Sequence, residues 1–159
     1  MPTDHSWITV AMTSICFMMW SLAAQAAPPA PLVQALSARH GVEDCKRLEA
    51  HSETLEADLN RVVREVTLPP WAPMNAAICL IEEHHASSKD ALLGWVQDPQ
   101  QTGLARLVFR RVNRLPDATA IDLMQHALNG PHREEALVAA QADTRASIRA
   151  LRPNSAPTP

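Results

Sequence analysis

Glu82-Glu83-His84-His85 is the tightest grouping in this sequence of side chains able to hold a metal ion or move a proton. Imidazole and carboxylate are sound ligands for zinc or copper, which makes Glu82, His84 and His85 weak metal candidates. Against that, adjacent helical residues point about 100° apart, and the order is not the His-Glu-x-x-His of a metallohydrolase helix. The plainer alternative is a solvated last helical turn, where histidine sits well near the negative end of the helix dipole. A second group is cationic. Arg106, Arg110 and Arg114 are four residues apart, with Arg111 beside them, and no acid lies between Asp98 and Asp117. Such a row can dock an acidic partner or anionic headgroups, or it can be a solvated face opposite Leu104, Leu107 and Val108, or pair with acids of a neighbouring helix. The sequence has no Gly-x-Ser-x-Gly and no phosphate-binding loop. Its only glycines are Gly41, Gly94, Gly103 and Gly130. No catalytic residue is predicted.

The elements that must position these groups are helical. There is no Tyr, Phe17 and Phe109 are the only Phe, and Ala and Leu dominate, a composition that favours helix over β-sandwich or barrel. A length of 159 residues is one domain's worth. The formal charge of −3 argues against nucleic acid as a partner, because counterion release needs a basic excess.

Ile8 to Leu22 form an apolar run followed by Ala24-Gln25-Ala26, a small-x-small cleavage pattern. The run is shorter than the roughly 20 residues of a membrane span, although Met1 to Trp7 has no Lys or Arg. Residues 1–26 are therefore predicted to be a signal peptide, with an uncleaved anchor as the alternative and the only route to a membrane. The mature chain would begin at Ala27 and be periplasmic or extracellular. Loss of Asp4 would leave 14 basic and 16 acidic residues, a net −2.

Residues 27–51 read as a Pro-rich lead-in and N-terminal capping helices, including a short helix over Leu32 to Arg39 stopped by Gly41. From Cys45 to Val66 the apolar spacing permits one long helix or a break at His51-Ser52 with Ser52 as N-cap. Cys45 and Cys79 connect this choice to chemistry. In an exported chain they are a candidate disulfide. An unbroken helix would hold them on the order of 20 Å apart, whereas a bridge needs Cα atoms within about 7 Å. A reversal at His51-Ser52 returns them to similar heights. The alternative is two free thiols. Further helices are predicted from Met74 to Glu83, Ser87 (as a cap) to Gln97, Thr102 to Arg114, Asp117 to Asn129, and Pro131 to about Leu151, followed by a frayed tail over 153–159. Trp95 fits a core stripe, and Trp71 a partly exposed cap on the stack.

These helices repeat. Shifted by about 31 positions, Leu92, Leu93, Val96, Asp98, Ala105, Leu107 and Val108 fall on Leu123, Met124, Ala127, Asn129, Ala136, Val138 and Ala139. A period of this length points to stacked helical pairs. With Pro70…Ala76-Ala77, Asp98-Pro99…Ala105 and Asn129-Gly130-Pro131…Ala136, residues 52–152 resemble HEAT-type repeats. The family's ladder arginine is missing, with Leu104 and Glu135 at its place. The resemblance implies an all-α array of antiparallel helical pairs, with a compact irregular helical domain as the alternative. It implies a surface for another macromolecule, without catalytic residues or cofactors. The resulting expectation is a non-catalytic exported binding or scaffold module of the cell envelope. Its partner would be another protein, acidic if the arginine row is the contact. The competing expectation is a periplasmic metal-binding or hydrolytic protein using Glu82, His84 and His85.

Overall fold

Prolines and short polar turns interrupt the chain at close intervals, so its helices are short. The computed structural model describes residues 27–152, and within them it is all-α, with no strand. The predicted signal over 1–26 and tail over 153–159 lie outside the described residues. The helices are α1 (Ala30–Leu36), α2 (Leu55–Glu65), α3 (Trp71–Glu82), α4 (Lys89–Gln97), α5 (Thr102–Arg111), α6 (Asp117–Leu128), α7 (Arg133–Ala142) and α8 (Ala146–Arg149). Tight 3-10 turns cover Cys45–His51, Pro99–Gln101 and Val112–Arg114.

The helices pack in pairs, α2 on α3, α4 on α5 and α6 on α7. The second helices also form a row, α3 against α5 and α5 against α7, while α4 lies against α6. At one end α1 covers α3; at the other α8 covers α6 and α7. One continuous core results. Repeat-equivalent residues occupy equivalent places in it: Leu92 and Leu123, Val96 and Ala127, and Ala105 and Ala136 are all fully buried.

The chain breaks at His51-Ser52, as the cysteine argument requires, but Ser52 is not the cap. Its hydroxyl accepts from the Thr54 N–H (3.1 Å) and bonds Asp58, and α2 starts after Thr54. Helix α3 begins at Trp71, three residues before the predicted Met74, since Pro73 then lies in the first turn, where N–H groups have no helical partner. Ser87 does not cap α4. It donates to the His84 carbonyl, while the buried Ser88 precedes Lys89 and donates to Glu56 (3.1 Å). Helix α1 covers 30–36, earlier than predicted, and Gly41 with φ 91° turns the chain beyond it. The largest departure is at the end. The predicted helix to Leu151 stops at Ala142, because the buried Asp143 carboxylate accepts from the Arg145 N–H (2.8 Å), a local turn bond that competes with helix.

Side chains tie each joint to the helices before it. Asn75 donates to the carbonyls of Leu36 (2.8 Å) and Ala38 (2.9 Å), and the Trp71 indole donates to Ser37 (2.6 Å). His132, itself buried, meets the Asp98 carbonyl at 2.9 Å through Nε2, which must carry the proton because a carbonyl only accepts. Arg145 donates to the carbonyls of Val112 (2.8 Å) and Leu115 (2.9 Å) and to both Asp143 oxygens. At the turn before α7, a side chain on Gly130 would meet the His126 carbonyl at 3.2 Å and the Val96 carbonyl at 3.4 Å, so a glycine permits that close approach.

Two carboxylates at these joints titrate below their ordinary range. For Asp143, hydrogen bonding from Arg145 outweighs burial. For Asp58, burial acts upward as the largest single influence, yet hydrogen bonds from Ser52, Arg61 and Thr54, with the charge of Arg61, together overcome it. A folded pKa below the unfolded value contributes stability that is complete above about pH 4 and is lost as pH falls through the folded value. Replacing Arg145 by Met should therefore destabilise the protein by about 3–5 kcal/mol at pH 7, because it leaves a buried charge unpaired. The Arg145→Met loss should shrink as Asp143 protonates below about pH 4. Urea unfolding at both pH values tests this; a loss under about 1 kcal/mol at pH 7 would contradict it.

The sulfurs of Cys45 and Cys79 lie 2.01 Å apart, with Cα atoms at 5.5 Å, linking the Cys45–His51 turn to α3. A bridge closing this loop is expected to contribute about 3–4 kcal/mol. The native protein should resist alkylation at both cysteines until reduced, and melt at lower temperature afterwards. Two thiols alkylated without reductant would refute the bridge.

Candidate functional site

Helix α5 is the middle member of the α3–α5–α7 row. Its buried stripe is Ala105, Val108 and Phe109, spaced as one helical face, with the buried Val112 in the turn that follows. Leu104 and Leu107, grouped with Val108 in the sequence, stand one step aside and are only half-buried. The turn of the stripe by one position leaves them on the flank towards α3.

The arginine row is divided by this geometry. Arg106 and Arg110 are exposed on the outer side of α5. Arg106 pairs with Glu135 of α7 at 3.2 Å, and Arg110 makes no ion pair with a described residue. Arg111 is half-buried and bonds Glu82 at the end of α3. Arg114 is exposed but belongs to the Val112–Arg114 turn, where the i, i+4 register of α5 no longer applies. The predicted four-arginine face is therefore a pair, Arg106 and Arg110, with one of the two already engaged. Glu135 titrates below its ordinary range, chiefly through its own backbone N–H in the first turn of α7 and then through Arg106.

Two grooves flank these arginines. Between α3 and α5 a depression of ≈ 450 Å³ is lined by Val63, Pro73, Met74, Leu104 and Leu107, with Gln101 and Gly103 at one end and Arg106 and Arg110 on its rim. Between α5 and α7 a larger one of ≈ 670 Å³ is lined by Phe109, Val112, Val138, Ala139 and Ala142, with Arg106, Arg110, Asn113, Glu134, Glu135, Asp143 and Thr144. Met74 is 53% exposed and Val138 68% exposed, and with Leu68 they are the exposed large apolar residues among those described. A third, open depression of ≈ 1340 Å³ separates α2 from the start of α4, and its wall mixes Glu49, Glu53 and Glu56 with Arg61, Arg64, His84 and Ser88.

Glu82, Glu83, His84 and His85 do not converge. Glu82 is engaged by Arg111, and Glu83 faces Lys46 at 3.8 Å. His84 lines the depression beside α2, and the His85 Nδ1 is enclosed without a hydrogen-bond partner. Among the described residues no three His, Cys, Asp or Glu side chains are placed to hold one metal ion. His126 and His132, the other histidines of the later repeats, are occupied separately, by Gln97 at 2.9 Å and by Asp98. Trp95 is buried; Trp71 is half-buried, with Arg39 5.9 Å from its ring centroid.

Sequence reasoning missed the apolar half of this face, whose signal is present in the repeat. Ile78, Leu107 and Val138 are equivalent at shifts of 29 and 31, and none is buried. Compared with family models, curated proteins and solved structures, the chain matches none.

Proposed function

We propose that this chain is an exported, non-catalytic helical-repeat protein of the cell envelope that binds another protein on the face formed by α3, α5 and α7. The observation that carries the reading is the company of Met74 and Val138, both more than half exposed, with an arginine, Arg110, that has no carboxylate partner among the described residues. Apolar side chains in water on a row of rigid helices are costly for an isolated chain and suited to a partner that covers them. Pairwise helix packing supports the likeness to HEAT-type repeats, which use such rows as binding surfaces. Export is supported by the Ile8–Leu22 run with its Ala24-Gln25-Ala26 pattern, and by a cysteine pair at bonding distance. The reading requires no cofactor. In the competing metal-dependent reading, Glu82 would have to exchange its bond to Arg111 for the metal.

Capture from envelope extracts of the source cell, followed by mass spectrometry, tests this reading. The wild type should retain a defined protein that Arg110→Glu and Val138→Glu lose, with both variants melting as the wild type does. Equal retention by all three proteins would contradict the proposed face.

A further inference from the structure

Resting on that reading, we infer that the groove between α3 and α5 is the specificity pocket, and that its occupant is an acidic polypeptide segment presenting a large apolar side chain. The depressions among the described residues differ in one respect that bears on the occupant, and two of them, lined by Glu53 with Arg61 and by Asp98 with Arg64, carry both signs of charge. The one beside α2 sets Glu49, Glu53 and Glu56 against its arginines, and the one between α5 and α7 sets Glu134, Glu135 and Asp143 against Arg106 and Arg110. Only the α3–α5 groove carries charge of a single sign: Arg106 and Arg110 stand on its rim and no carboxylate lines it.

Its wall is apolar and unfinished. Val63, Pro73, Leu104 and Leu107 are half-buried, and Met74 is 53% exposed. Three elements supply them, α2, α3 and α5, so the pocket exists only in the folded stack. At one end Gly103 faces open space, with no atom within 4 Å of where a side chain would begin. The volume of ≈ 450 Å³ lies in the lower part of the range of ligand pockets, which suits a few side chains of a segment and not the whole face of a long helix. Methionine adapts to varied apolar shapes, and Arg110 gives the carboxylate of an arriving segment a partner that no carboxylate of the described residues occupies. Such complementarity fixes register and speeds capture. Lys-rich or Arg-rich segments would place like charge against the rim.

Selection of randomised displayed peptides on the purified full-length protein tests the inference. Enriched peptides should carry more Asp and Glu than Lys and Arg around a Leu, Phe or Trp. Their binding should fall about tenfold with Arg110→Glu or with Met74→Lys and weaken as salt rises. Both changes are on exposed side chains, and an unchanged melting temperature confirms that each variant is folded. Enrichment of neutral or basic peptides, unaltered binding by either variant, or no enrichment at all would overturn it. So would Arg110-dependent binding to phosphatidylglycerol vesicles without peptide enrichment, which would give the rim to a membrane. If neutral peptides are enriched and lost with Val138→Glu, the binding-module reading survives and this inference fails. If extracts yield no partner and no peptide is enriched, both fail.

Discussion

Short helices leave much of their backbone without helical partners, and that constraint governs this molecule. No described helix exceeds 12 residues, and each exposes up to four N–H and four C=O groups at its ends. Packing such ends together without partners would bury polar groups at a cost that dispersion cannot repay. The chain meets the requirement with a few side chains that reach back across the stack, Trp71 and Asn75 to the end of α1, His132 to the turn after α4, and Arg145 to the end of α5. Regular repeat proteins satisfy a corresponding need with a ladder of one residue type; here each joint uses a different residue.

The proposed binding face follows from the same arrangement. Because α3, α5 and α7 are held side by side by their ends and by the core beneath, their outer flanks do not close over one another, and grooves persist between them. Ion pairs join these helices, α5 to α7 at Arg106–Glu135 and the ends of α5 and α3 at Arg111–Glu82. They are surface or half-buried pairs, worth little to stability, but they fix which arginines remain available. In the proposed reading, a row of four cations in the sequence becomes two arginines beside an apolar slot.

Much of the fold was legible because breaks in this chain are written in prolines, glycines and small polar residues, and because the repeat spacing recurs. The reversal at His51-Ser52 was readable only through the reach of a disulfide, which converts a spacing of 34 residues into a geometric limit. The stop at Ala142 was not readable, since Asp143-Thr144-Arg145 contains no breaker; it depends on a carboxylate buried by distant helices. Likewise the role of Arg145 lies in bonds to carbonyls about thirty residues earlier, and backbone acceptors leave no trace in composition. One signal was present and overlooked. Glu82 and Arg111, Gln97 and His126, and Arg106 and Glu135 are each 29 residues apart, two short of the 31-residue shift between the later pairs, so reading charge and polarity at spacings just under the period would have paired the arginines in advance. The flank position of Leu104 and Leu107 needed the helix's rotation, which periodicity alone did not resolve between adjacent stripes.

The central claim is that a partner seats on the slot between α3 and α5, where apolar side chains meet Arg106 and Arg110. Methyl-resolved NMR of the full protein, titrated with the captured partner, addresses it side chain by side chain. The account predicts that the methyl signals of Met74, Leu104 and Leu107 shift while those of Leu32, Leu36 and Ile148, buried at the two ends of the stack, stay in place. Shifts confined to Leu55 and Ala57, beside the acidic depression of α2, would contradict it.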